Sequence, residues 1–213
     1  MPRLILARHG QTDYNLARRY QGSVDIPLNA TGTAQAQELQ RRVVELRLDA
    51  VYCSDLIRTR QTSSIILQNH PSDLSAKPTN LIREVSGGKF EGLTYDEIKA
   101  QYPAEQQAWE ADRYNVPAPE GESLRDVQVR LLEFLEIVQK EQPGENHNVL
   151  VVAHGGIVSS LMCQLMGTDF NRLWQWRVDT CSLTIVDLYD KGAILSLFND
   201  ISHLRTGLPE ENI

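Results

Sequence analysis

The chain has 213 residues, 41% of them apolar and 23% charged, with a formal net charge of −7. That length and balance suit one α/β domain with a full core, and the acidic surplus argues against a nucleic-acid binder, whose phosphate partner needs a basic surface. The expected location is cytoplasmic with no membrane partner, because Cys53, Cys163 and Cys181 are scattered and read as reduced thiols, and neither a signal core nor a spanning apolar run is present.

Leu4-Ile5-Leu6-Ala7 reads as a buried strand that runs abruptly into Arg8-His9-Gly10. In an open α/β sheet ligands bind beyond the carboxyl ends of strands, which places Arg8 and His9 at the mouth of a pocket. Gln11 to Asn15 leads into the basic segment Arg18-Arg19-Tyr20-Gln21-Gly22, and Asp25 to Asn29 is a loop. Thr31 is the expected cap of a helix to about Leu46, with Ala34, Leu39, Val43 and Leu46 as its apolar stripe. A second strand at Ala50–Cys53 ends at Ser54, and the helix after it carries Arg58 in its first turns, where free N–H groups favour anions.

A short edge strand is expected near Ser75–Lys77. Arg83 to Gly92 is a glycine-rich loop carrying Glu84 and Glu91, without the Lys-Ser or Lys-Thr of a P-loop. Helical sequence from Tyr95 to Arg113 breaks at Pro103, with Trp109 and Tyr114 as packing or pocket candidates. Ser123 with Asp126 starts a helix to about Lys140 that buries Val127, Leu131, Phe134, Leu135 and Val138, and Pro143-Gly144 stops it. Val149 to Ala153 then repeats the opening design: an apolar strand ending in His154-Gly155-Gly156. A helix to about Met166 follows, then Trp174 and Trp176, for which packing is the default. Strands at Ser182–Tyr189 and Ala193–Phe198 close the chain through a turn at Asp190-Lys191-Gly192. The alternation of elements gives a three-layer α/β/α sandwich with a mostly parallel sheet.

Two strand ends carrying His and Gly, one preceded by Arg, point to phosphoryl chemistry. A neutral imidazole attacks phosphorus and splits one displacement into two steps, while a preorganised set of donors holds the charged oxygens. Arg8, Arg58 and a protonated His154 would form that set. Glu84, in a flexible loop able to reach over the pocket, is the candidate proton donor. His9 and His154 have no third ligand at metal spacing, so no metal or other cofactor is expected. His70 and His147 read as loop residues.

These residues resemble the histidine phosphatase superfamily, also called phosphoglycerate mutase-like. The resemblance runs through Arg8-His9-Gly10 with Thr12 and Asn15, Arg19 to Gly22, Asp25 to Leu28, Ser54 to Thr62, Glu84 to Gly92, Pro119 to Ser123 and His154 to Gly156. It implies that His9 is the phosphorylated nucleophile, with Arg8, Arg58 and His154 on the phosphoryl group. Asn15, Gln21, Gly22 and Gly155 would bind phosphate or substrate, and Glu84 would donate the proton. Members often carry an Asp and an aromatic where this chain has Ser86 and Gly87, which bears on the stiffness of the Glu84 loop. The short stretch from Glu84 to Pro119 lacks the longer insertion of the mutases and favours a phosphatase of small phosphomonoesters, of broad-specificity, phosphoserine or α-ribazole phosphate type. A cofactor-dependent phosphoglycerate mutase is the alternative, and a non-catalytic phosphate sensor a remote one.

The implied architecture is a single domain over 1–213 with a small helical cap at about 84–121. Asn199 to Leu204 resembles the ending of the phosphoserine type, which puts His203 near the substrate or in packing, and homodimers are an expectation from relatives.

Overall fold

The computed structural model describes residues 2–142 and 147–204, so the expected helix stop at Pro143-Gly144 lies outside the described residues. A six-stranded sheet holds β1 (Arg3–Arg8), β2 (Ala50–Ser54), β3 (Lys77–Thr79), β4 (Asn148–Ala153), β5 (Leu183–Tyr189) and β6 (Gly192–Asp200), in the spatial order β3-β2-β4-β1-β5-β6. The first four in that order are parallel neighbours, and β5 runs antiparallel to both β1 and β6. Among these strands β5 alone is reversed, so the carboxyl ends of β1, β2 and β4 share one rim of the sheet.

Helices α1 (Asp13–Leu16), α2 (Ala30–Val43), α3 (Ile57–Leu67), α4 (Tyr95–Gln101), α5 (Pro103–Ala111), α6 (Leu124–Glu141) and α7 (Gly155–Met166) connect and cover the strands. β1 shows why the inner strands are apolar at every position. Leu4 and Leu6 join Val127, Leu131, Phe134 and Ile157 in one core, whereas Ile5 and Ala7 join Ala36, Leu39, Val43 and Ile66 in the other. A parallel strand buried on both faces has no polar side to offer. α6 and α7 therefore cover one face and α2 and α3 the other.

The register between β1 and β4 sets up the site. Leu4 lies beside Val149 and the pairing continues to Arg8 beside Ala153, so the next residues, His9 and His154, leave the sheet side by side. On the other side of β4, Cys53 lies beside Val152, and Arg58 follows one turn into α3.

Local readings of the sequence differ from the structure where a cap or an edge decides. The cap of α2 is Asn29, not Thr31: its side-chain oxygen accepts the Gly32 N–H at 2.8 Å, and its amide donates to Gln11 Oε1 at 3.0 Å. The earlier start shifts the helical phase, so Ala36 enters the core while Ala34 is exposed, and the helix ends at Val43. β3 lies at Lys77–Thr79 because its partner is Tyr52–Ser54, and Pro78 is tolerated on an edge strand. In α6, Leu124 is buried and Leu135 only partly so. Trp176 packs on Phe198 with ring centroids 5.3 Å apart, but Trp174, in the 3₁₀ segment Phe170–Gln175, is 68% exposed.

The strand-end loop after β1 touches the first turn of α2 backbone to backbone. A Cβ on Gly32 would lie 2.0 Å from the Gln11 carbonyl oxygen, and one on Gly10 would lie 2.4 Å from that of Gly32. Gly32→Ala is expected to lower unfolding free energy in urea by about 1–3 kcal/mol, the usual cost of overpacking rigid neighbours. An unchanged midpoint would show that the loop after β1 yields.

Candidate active site

Burial leaves the rim of the sheet with an unusual set of charges. Arg58 and His154 are both 0% exposed and His9 is 2% exposed. The rings of His9 and His154 meet edge to face with centroids 5.2 Å apart, as the β1–β4 register requires.

Hydrogen bonds fix the tautomers of both imidazoles. His9 Nδ1 lies 2.7 Å from the Gly10 carbonyl, which only accepts, so Nδ1 carries the proton and Nε2 keeps its lone pair. Arg58 Nε donates to His154 Nδ1 at 3.1 Å, and a guanidinium cannot accept. His154 is therefore neutral with its proton on Nε2, and that buried atom has no partner among the described residues. The sequence reading expects a protonated His154; in this structure it is neutral, because protonating Nδ1 would break its bond to Arg58. Burial, with the Arg8 and Arg58 charges beside it, holds the His9 imidazole well below its ordinary 6.5. Burial, then Arg58, holds His154 well below the same value.

Both guanidiniums are held by groups that leave their charge uncancelled. Arg58 donates to the Val24 carbonyl at 2.7 Å and the Gly22 carbonyl at 2.8 Å, besides His154. Arg8 donates to the Val178 carbonyl at 2.6 Å, and its buried Nε has no partner among the described residues. Gly22 has φ +49, and a Cβ there would lie 2.1 Å from Glu91 Oε1, so the turn that offers its carbonyl to Arg58 needs glycine. Both bond carbonyls or an imidazole rather than carboxylates, with Glu84 within electrostatic reach of each, which leaves a cationic site suited to an anion.

The pocket in front of them has a volume of about 380 Å³. Arg8, His9, Asn15, Gln21, Gly22, Arg58 and Glu84 all line it. Asn15 closes the capping box of α1 with Thr12, and the Gln21 side-chain oxygen is buried without a partner among the described residues. His154 and Gly155 stand behind that wall, His154 against the His9 ring and Gly155 against the Arg8 guanidinium, where a Cβ would come within 3.4 Å of Nε.

Glu84 sits across from the histidines at the start of α7. Its two carboxyl oxygens accept the Val85 N–H at 3.0 Å and the Gly156 N–H at 3.2 Å. The segment carrying it is cross-linked: Glu122 accepts the Ser86 N–H and pairs with Arg130, and Glu91 accepts the Gly87 N–H. Those bonds stiffen the loop expected to be flexible.

His203 does not reach the pocket. Its Nε2 bonds to the Cys181 carbonyl at 2.9 Å, and the Cys181 N–H in turn bonds the Arg8 carbonyl at 3.1 Å, so His203 braces the β1 strand end from behind. His70 is likewise satisfied, between the Leu46 carbonyl and the Ser72 N–H. The residues missed from sequence are those delivered from far along the chain. Val178 holds Arg8, and Arg113 and Leu173 line the outer pocket beside Trp109. No local pattern marks a carbonyl or a lone Arg as a pocket wall.

The family model described as histidine phosphatase superfamily (branch 1) matches residues 4–201. Phosphoserine phosphatase 1 of Hydrogenobacter thermophilus is 30% identical over 96% of this chain and 95% of its own length. A probable phosphoglycerate mutase of Erwinia tasmaniensis is 31% identical over 99% of both. The crystal structure of the α-ribazole phosphatase from Shigella flexneri superposes with a TM-score of 0.84 at 28% identity, covering 93% of this chain and 96% of that one.

The electrostatics give a checkable pH dependence. The unfolded chain takes up protons on His9 and His154 as pH falls below about 6.5, whereas the folded state resists them, so stability is fully present above that pH and declines below it. Urea unfolding followed across that range should show the decline. Inorganic phosphate should raise the melting temperature of the wild type, through mass action on the folded state, and Arg58→Ala should abolish that rise.

Proposed function

This chain belongs to the histidine phosphatase superfamily and is a phosphoric monoester hydrolase acting on small phosphorylated substrates; we propose that it works through a covalent phosphohistidine on His9, without a metal. The observation that carries the proposal is the pair of a partly buried Arg8 and a fully buried Arg58, held by carbonyls and an imidazole and lining the same pocket as His9.

In the first step His9 Nε2 attacks phosphorus as the bond to the ester oxygen breaks, and the Glu84 carboxyl gives its proton to the departing alkoxide. In the second, the Glu84 carboxylate takes a proton from water, the water oxygen bonds to phosphorus, the P–N bond breaks and phosphate leaves. Arg8, Arg58 and His154 Nε2–H are the donors for the equatorial oxygens, where charge accumulates. Asn15, Gln21, Gly22 and Gly155 complete the binding set in this reading. The segment at 84–121 serves as the cap of a single domain and bounds the leaving-group end.

Hydrolysis is favoured over mutase action because the stretch from Glu84 to Pro119 is short, although a probable mutase is among the relatives. Phosphoserine and α-ribazole phosphate are the first natural esters to try. A cytoplasmic setting belongs to the same proposal and is supported by three buried free cysteines. So does a homodimer, for which light scattering is the direct measurement. Among the described residues no helix is long and apolar enough to cross a membrane.

Acid-labile labelling by a phosphorylated substrate and turnover in EDTA are both expected of the wild type. His9→Ala should remove both label and turnover with the melting temperature retained, and turnover that depends wholly on added metal would overturn the mechanism. Gly156→Ala tests Glu84 indirectly, since the new Cβ would lie 2.6 Å from Glu84 Oε1. It should slow alkyl phosphates by about 10- to 100-fold and p-nitrophenyl phosphate much less, whose leaving group needs little protonation. Equal losses on both would make Glu84 a binding rather than a proton-transfer group.

A further inference from the structure

A single peptide group gives Arg8 its direction. The guanidinium donates to the Val178 carbonyl at 2.6 Å, and the same peptide unit carries the Asp179 N–H, which donates to Asn199 Oδ1 at 2.8 Å. A peptide is planar, and in the trans form its C=O and N–H point opposite ways. Asn199 therefore holds one edge of the plane whose other edge holds Arg8, and a group that donates while it accepts makes both bonds stronger.

The Asn199 amide is engaged at both ends. Its Nδ2 donates to Asp179 Oδ2 at 2.6 Å, which settles the end that carries the oxygen. Its backbone N–H donates to Oγ1 of the buried Thr184 at 3.1 Å, and its φ of +50 is a conformation that asparagine adopts more readily than most residues. The preceding residue, Phe198, packs on Trp176, so two adjacent positions of β6 hold the Trp176–Asp179 stretch. This arrangement also controls charge. Asp179 lies within electrostatic reach of Arg8, yet its carboxylate is bonded to Arg177 at 3.1 Å and to the Asn199 amide. Arg8 is left bonded to a carbonyl, with no carboxylate hydrogen-bonded to it among the described residues.

We propose that Asn199 is a positioning residue for phosphoryl transfer: through the Val178–Asp179 peptide it aims the Arg8 guanidinium into the pocket and keeps the Asp179 carboxylate off it. The inference rests on the phosphatase reading above, in which Arg8 binds the phosphoryl group. Asn199 does not line the pocket and acts wholly through Arg8.

The test is a double-mutant cycle between Asn199→Gly and Arg8→Ala, read as kcat/KM for p-nitrophenyl phosphate and as the Kd of inorganic phosphate by calorimetry. Glycine accepts the positive φ, so the side chain is removed without new backbone strain. Asn199→Gly alone should lower kcat/KM and phosphate affinity by about tenfold, the scale of a misdirected charge-assisted contact. In the Arg8→Ala background the same change should cost less than about twofold, because the group it positions is gone. Losses that multiply, or wild-type kinetics in Asn199→Gly, overturn the proposal. A second pair of variants does not depend on glycine. Asn199→Asp sets two carboxylates against each other and should lose activity, and adding Asp179→Asn exchanges donor and acceptor within the pair and should recover most of that loss. A swapped pair no more active than Asn199→Asp also overturns the proposal. Wild type that fails to cleave p-nitrophenyl phosphate, or Arg8→Ala that matches it, sinks the phosphatase reading as well. An impaired Arg8→Ala with multiplying losses sinks only the role of Asn199.

Discussion

The parallel ladder between β1 and β4 is the constraint on which the site depends. Its register puts the residue after Arg8 level with the residue after Ala153, so two imidazoles come off the sheet at 5.2 Å between centroids. A slip of one residue would turn every apolar side chain on β1 to the opposite core. Since Leu4 and Leu6 pack under α6 and α7 while Ile5 and Ala7 pack under α2 and α3, the two cores lock that register from both faces. The position of His9 is thus fixed by hydrophobic packing well away from it.

Around that ladder the protein concentrates positive charge where water is scarce. Burial alone would drive a guanidinium out or demand a carboxylate beside it. Here carbonyls of Gly22, Val24 and Val178 orient the arginines without neutralising them, and the bond from Arg58 keeps His154 neutral. The result is a cationic cradle suited to an anion, with the His9 imidazole beside it. Glu84, held by two main-chain N–H groups, stands at the side where a leaving oxygen would depart.

The sequence was most legible where one local pattern had one physical meaning. Apolar runs ending in Arg8-His9-Gly10 and His154-Gly155-Gly156 marked buried strands with chemistry at their ends, and the break at Pro103 separated α4 from α5 as expected. It was least legible where neighbours distant in the chain compete for the same groups. Asn29 displaced Thr31 as a cap because Gln11 was there to hold its amide. For His203 the sequence left substrate contact and packing open, and its bond to the Cys181 carbonyl, a residue 22 positions away, makes it packing. The Glu84 loop looked loose from its glycines, yet Glu122 and Glu91 tie it down from outside the segment.

By itself the sequence determined the fold class, the order of the elements and which polar side chains stand at the strand ends, since periodicity, caps and strand-end glycines act over a few residues. Only the tertiary structure decided which histidine tautomer is present, which cations remain uncancelled, and that Arg113 faces the same pocket as His9. Those properties depend on burial and on hydrogen bonds between residues far apart in the chain, and such bonds exist only once β1, β4 and α3 are packed together.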